Sequence, residues 1–239
     1  MPIIRPHQPK LIFIMSESPL AANKPVEKKQ QCHVLLAGNL VAKPEIRYRA
    51  NPVVPVAEFV IATNHSWFDK KTNSFKDWTT YHACHFEGQN VEDQFLFADK
   101  GQLLLIHGAL ATTTKRQKDM VQVESLSLLG KGVHSSINQV ICNGTLISEV
   151  KLVKTENDKS LAEFTISINE PGFIESDHHF NGQKIERLVH LWGRSAEYFY
   201  NKAVVGEQLL IEGSLTYVSN NKTKQFIDAK KAIICPSTK

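Results

Sequence analysis

The sequence predicts an all-β protein built as two successive five-stranded barrels, each carrying one short helix. Two observations lead there. The chain repeats itself at a near-constant offset, and its apolar residues come in short β-branched runs of period two separated by turn-forming residues. The offset is carried by four anchors in one order. Leu103 to Leu110 read LLLIHGAL and Leu209 to Leu215 read LLIEGSL, with Gly108 and Gly213 105 positions apart. Ala57-Glu58-Phe59 recurs as Ala162-Glu163-Phe164, and His85-Phe86-Glu87-Gly88 answers His190-Leu191-Trp192-Gly193, both again at 105. Ala37-Gly38-Asn39-Leu40 corresponds to Asn143-Gly144-Thr145-Leu146 at 106. A tandem duplication explains this best.

Each unit then reads as five strands. His33 to Leu40 and Asn138 to Leu146 open them, and Val56 to Thr63 and Leu161 to Asn169 follow. Tyr81 to Phe86 and Arg187 to Trp192 come third, Gln102 to Leu110 and Gln208 to Tyr217 fourth, and Met120 to Leu128 and Phe226 to Ile234 close the units. In the clearest of these, Phe164, Ile166 and Ile168 alternate with Glu163, Thr165 and Ser167, which puts one side on a core. Between the third and fourth strands the period changes. Val91, Phe95 and Ala98 share a helical face, as do Ala196, Tyr200 and Ala203, predicting helices over Asn90 to Lys100 and Ser195 to about Val204. Asn90 and Ser195 are suitable N-caps, and Gly101 and Gly206 suit the left-handed residue that ends a helix. Five strands with a helix after the third describe an OB-fold.

With 239 residues there is room for two such domains and a tail. The expected boundaries are a disordered leader over 1–30, a first barrel over 31–130, a linker over 131–135 with Gly130 just before it and Gly132 within it, and a second barrel over 136–239. Met15 is a second plausible start, so residues 1–14 read as an upstream extension. The longest N-terminal apolar run, Leu11 to Met15, is too short for a signal or a bilayer span, and a cytoplasmic, non-membrane protein is expected. Five basic and two acidic residues in positions 1–30 supply three of the four net positive charges, which leaves the barrels near neutral. Polyanion binding therefore needs local clustering rather than bulk charge. Cys32, Cys84, Cys142 and Cys235 show no metal-ligand spacing, and the adjacent His178 and His179 do not make a site, so no metal or cofactor is expected. The acidic residues are dispersed and no phosphate-binding glycine loop is present, which argues against an enzyme.

Val34 to Leu40 followed by Pro44-Glu45-Ile46-Arg47-Tyr48 resembles the opening strand and "GNL…PEIRY" signature of bacterial single-stranded DNA-binding proteins. The likeness runs through nearly all of the first unit; the second keeps Gly144, Ala162 to Phe164, Gly193 and Ile211 to Gly213 but lacks the PEIRY segment. The resemblance implies sequence-tolerant binding of single-stranded DNA in replication, repair or transfer. It also implies a homodimer with four OB-folds, as for other members with two folds per chain. Such sites stack bases on aromatic rings and follow phosphates with cations. In the first unit the candidates are Trp67, Phe75, Trp78 and Tyr81, with Lys43, Arg47, Arg49, Lys70, Lys71, Lys76, Lys115, Arg116 and Lys118. In the second they are Trp192 and Tyr217, with Lys184, Arg187, Arg194, Lys222 and Lys224, and Phe173 and Phe180 as further rings. By the resemblance, Trp67, Tyr81 and Trp192 stand at the family's stacking positions. Glu87 and Glu186 replace rings at two others, and Phe86 falls one residue out of register, on the opposite face. Core packing or a dimer surface is the alternative for each ring, and a solvated face for each cation. The sequence ends without the acidic tail by which housekeeping members recruit partners, so recruitment by that route is not expected. A second reading is a protein similar to primosomal replication protein N, which bridges restart factors and binds single strands weakly.

Overall fold

The computed structural model describes residues 32–113, 118–131, 136–155, 158–170, 183–218 and 221–236. The expected leader, most of the linker, Lys115, Arg116, Phe173 and Phe180 lie outside the described residues. The first unit contains β1 (Cys32–Leu40), β2 (Glu45–Arg49), β3 (Val54–Asp69), β4 (Ser74–Glu87), α1 (Val91–Phe95), β5 (Gln102–Thr112) and β6 (Asp119–Lys131). The second contains β7 (Ile137–Leu146), β8 (Lys151–Lys154), β9 (Ser160–Glu170), β10 (Gln183–Trp192), α2 (Arg194–Lys202), β11 (Gln208–Val218) and β12 (Asn221–Ile234).

All ten expected strands are present, and each unit adds one more. β2 and β8 are short edge strands paired only to β3 and β9. Edge strands bury one face at most and tolerate a polar sequence such as Glu45-Ile46-Arg47-Tyr48-Arg49, in which Ile46 packs against the core and Glu45 and Arg47 stay in water. The second and third strands of the first unit run on into one long hairpin, β3–β4, paired in continuous register from Val56↔Glu87 to Asp69↔Ser74. Its turn is Lys70 to Asn73, with Asn73 left-handed at φ 48°.

The helices are the larger departure. α1 ends at Phe95, and the chain then tightens into a three-residue turn in which the Ala98 amide donates to the Phe95 carbonyl. Val91, Phe95 and Ala98 nevertheless all point inward, as their spacing requires. In α2 the buried pair is Ala196 and Phe199, not Ala196 and Tyr200: Phe199 stacks on Phe164 and so sets which side of the helix meets the core, and Tyr200, on the other flank of Ala196, is left in solvent. Neither Asn90 nor Ser195 caps through its side chain, and Gly193 holds the N-cap position of α2. Past the helices, Gly101 and Gly206 do take the left-handed conformation, and their amides donate to the Leu40 and Leu146 carbonyls at 2.8 Å. Each helix is thereby tied to the end of its unit's first strand.

Each unit closes through one parallel contact, β4 with β6 and β10 with β12. The interiors hold Leu36, Ile61, Phe95, Leu104 and Ile106 in one barrel and Phe164, Ile166, Phe199, Ile211 and Leu215 in the other. The helix plugs each barrel with a ring: Phe59 meets Phe95 edge-on at 5.0 Å, and Phe164 stacks on Phe199 at 4.8 Å. The barrels share an edge. β1 pairs antiparallel with β7 from Cys32↔Cys142 to Ala37↔Ile137, making a single twelve-stranded sheet. Val34 lies opposite Val140, and these are equivalent positions of the repeat at the offset of 106, so this pair marks a pseudo-two-fold axis.

Candidate nucleic-acid interface

Strand alternation decides which rings can share a ligand. On the β3–β4 hairpin, Trp67 faces Lys76 and His65 faces Trp78, while Phe68 faces Phe75 and Ala62 faces Tyr81. Directly opposed residues share a face and neighbours along a strand do not. The hairpin therefore carries two aromatic faces. His65, Trp67 and Trp78 lie on the one continuous with the barrel interior, and His65 stacks on Trp67 with centroids 6.1 Å apart. Phe68, Phe75 and Tyr81 lie on the other, with Phe68 edge-on to Phe75 at 5.3 Å. The four rings expected to act together are all exposed, from 40% for Trp67 to 74% for Phe75, but on two sides of a ribbon. His65 and Phe68 are additional exposed rings outside the family signature. Their parity against Trp67 and Phe75 was the signal that places them.

The cations group unevenly around this ribbon. Lys70 and Lys71 are exposed at its turn. Lys76 is beside Trp67 and bonds Asp69 at 2.5 Å; that hydrogen bond holds the Asp69 carboxyl down to about 2. Arg47 pairs with Glu45 at 3.2 Å, and with the exposed Lys43 it lines an open cleft of about 320 Å³ beside Val56 and Glu58. Arg49 reaches Glu87 at 3.4 Å, as does His85. The hydrogen bond from His85, with the Arg49 charge adding, keeps the Glu87 carboxyl below its ordinary range against the opposing effect of burial. Where the resemblance calls for a ring, the first unit thus holds a paired carboxylate. Lys118 is half-buried at the end of the β5–β6 hairpin, its backbone bonded to Thr113.

In the second unit the outward row of β10 is Lys184, Glu186, Leu188, His190 and Trp192. Trp192 is 43% exposed and its indole N–H donates to Asp228 Oδ1 at 2.9 Å, which fixes the ring's edge and leaves its face open. Beside it His190 packs on Phe226 at 4.4 Å and bonds Glu163 at 3.2 Å. Lys184 and Arg194 are exposed, Lys224 is half-buried, and Lys222 lies in β12.

Two expected ligands of the strand are elsewhere. Arg187 is 2% exposed, on the inward parity of β10, and pairs with Asp119 of the other barrel at 3.1 Å. It also donates to Thr112 Oγ1 at 2.9 Å and to the Ala111 carbonyl at 2.6 Å. Burial draws its pKa below the ordinary arginine value while the Asp119 charge opposes that shift. Tyr217 is likewise turned into the seam between barrels. Its hydroxyl accepts from the Ala83 amide and from Gln225 Nε2, both at 3.1 Å, and burial raises its pKa. Asp119 in turn accepts from Thr112 Oγ1 at 2.8 Å and the Gln225 amide at 2.9 Å. At the position of the repeat equivalent to Arg187, His82 is buried and bonded to Thr63 Oγ1 at 2.9 Å, and desolvation pulls it down to about 4. Arg187, Asp119 and Tyr217 form a polar lock between the barrels, and His82, bonded within its own barrel, meets it through its ring, 6.3 Å from that of Tyr217.

The class is then clear: a tandem OB-fold protein with exposed aromatic rings and cations on its strands. Residues 32–134 and 137–234 each match the model of the single-strand binding protein family, and the chain belongs to that family. Two solved structures share its fold. The single-stranded DNA-binding protein from Thermus aquaticus is 21% identical, with a TM-score of 0.72 over 88% of this chain and 96% of that one. A deletion variant of it gives 0.71, again at 21% identity, over 88% of this chain and 99% of that one. Among the described residues no group of three or more His, Cys, Asp or Glu side chains is placed to hold a metal, and no helix is long and apolar enough to cross a membrane.

Proposed function

We propose that the chain binds single-stranded DNA without sequence preference and covers it in replication, repair or transfer, in the cytoplasm and without catalysing a reaction. The observation that carries this reading is the set of exposed rings on β3 and β4 of the first barrel and Trp192 of the second, in a family member, with exposed cations on the same units. Bases stack on Trp67, Trp78, Tyr81, Phe75 and Trp192, while Lys43, Lys70, Lys71, Lys184 and Arg194 meet the phosphates. Loss of one such ring costs about 1–3 kcal/mol per stacked base. Titration of labelled oligo(dT) at two salt concentrations tests it. Trp67→Ala and Trp192→Ala should each weaken binding by that amount with the salt slope nearly unchanged. Wild-type affinity in both variants overturns the assignment of these rings.

The working unit is a homodimer with four OB-folds. Its contact is the outer face of the β6-β5-β1-β7-β11-β12 sheet, where Ile137, Ile141, Leu210 and Ile233 are about 40% exposed. A row of exposed aliphatic side chains on the middle of a sheet favours burial against another copy. Sedimentation equilibrium should give twice 26.9 kDa, and Ile141→Glu should bring it to the monomer mass. A monomeric wild type at micromolar concentration excludes this assembly.

A further inference from the structure

Three of the four cysteines gather at the seam between the barrels. Cys32 and Cys142 are directly opposed in the β1–β7 ladder, and both side chains are inward, at 3% and 1% exposure. Opposed residues of an antiparallel pair have Cα atoms about 4.5 or 5.5 Å apart, depending on ladder position. A disulfide needs about 4.4–6.8 Å, so either position admits one without moving the backbone. The two residues carry thiols. They are not a product of the duplication: the symmetry-related pair across Val34 and Val140 is Leu36 opposite Asn138. One end of the seam alone has been given two sulfurs.

We propose that Cys32 and Cys142 form a redox-closable pair that staples the two barrels together across β1–β7. Cys32 stands before Val34, the first β1 residue paired to β5, while Cys142 is held between β1 and β11, so Cys32 is the easier of the two to free. The Arg187 guanidinium is in electrostatic reach of both sulfurs. The oxidant is a small disulfide. The Cys32 thiolate displaces one thiol from it to give a mixed disulfide, and the Cys142 sulfur then displaces the second. Two electrons and two protons pass from the cysteines to the small molecule, which leaves as two thiols. Cys84 is buried in the same region and its thiol is driven far above the usual range by desolvation, so it stays out of the exchange.

The full chain treated with diamide tests this, the diazene taking up the two hydrogens as a hydrazine. Intact mass should fall by the mass of two hydrogens, proteolysis should release a Cys32–Cys142 linked peptide, and dithiothreitol should restore both thiols. The bridge closes a loop of about 110 residues and should raise the thermal midpoint by roughly 10 °C. Cys32→Ser and Cys142→Ala should each abolish the mass change and the rise, whereas Cys84→Ser should keep both. Alkylation of Cys32 and Cys142 after diamide treatment overturns the proposal. So does a linked peptide containing Cys84 or Cys235, or a midpoint rise that survives Cys32→Ser.

Discussion

Replacing Arg187 by alanine should destabilise the protein by about 3–5 kcal/mol, read from denaturant unfolding of the full chain. The substitution leaves Asp119, whose side chain is 4% exposed, as a buried carboxylate with only Thr112 Oγ1 and the Gln225 amide to hold it. The Ala111 carbonyl loses a donor as well. Desolvated charge without a counter-ion is among the few single changes that reach this size. Arg187→Lys should recover little, because one ammonium cannot reach Asp119, Thr112 and the Ala111 carbonyl as the guanidinium fork does. The double substitution Arg187→Met with Asp119→Leu should cost less than either change alone, since it removes both charges and keeps the volume. Oligo(dT) binding separates the two roles considered for this residue. A phosphate ligand would lower the salt slope when lost; a lock between barrels leaves it as it was. A stable Arg187→Ala protein with a reduced slope would return Arg187 to the interface.

That misplacement shows what the sequence holds and what it does not. Arg187 and Trp192 lie an odd number of residues apart on one strand, so alternation alone puts them on opposite faces. The same parity separates Trp78 from Phe75 and Tyr81 on β4. What composition could not supply is the destination of the inward residue. Nothing local to Arg187 announces an acid 68 positions earlier, and nothing near Tyr217 announces the Ala83 amide that donates to its hydroxyl. The core was legible because burial repeats at short period: Phe164, Ile166 and Ile168 are each within 1% of full burial. β2 and β8 were not, because an edge strand keeps most of its side chains in water and has only weak periodicity. The helix faces lie between these cases. The i, i+4 rule places Val91 and Phe95 correctly and Tyr200 wrongly, since i+3 and i+4 both flank Ala196 and only the contact with Phe164 selects Phe199.

The strongest sequence signal, the glycines at 108 and 213, points to the second large effect. Gly108→Ala should destabilise by about 3 kcal/mol or prevent folding, well beyond the usual cost of a change from glycine to alanine in a strand. Its φ is not the reason. A Cβ built at Gly108 would lie 2.0 Å from the Gln122 carbonyl oxygen, and one at Gly213 would lie 2.4 Å from that of Asp228. Both obstacles are backbone and cannot rotate away. Each glycine stands at a register shift, in β5 between His107 and Gly108 against β6, and in β11 between Glu212 and Gly213 against β12. These bulges bend the hairpin so that the last strand leaves its partner and crosses to β4 or β10 to close the barrel. In the second unit that crossing also carries Asp228 to the Trp192 indole at 2.9 Å, so Gly213→Ala should disturb the setting of this exposed ring as well as the fold. The measurement is the unfolding free energy of each variant, together with tryptophan quenching by oligo(dT) for Gly213→Ala. Gly88→Ala is the control: nothing lies within 4 Å of a Cβ there, so its cost is only that of holding alanine at a φ of 124°. If Gly108→Ala costs no more than the control, the close strand contact is not what maintains the glycine at both positions of the repeat.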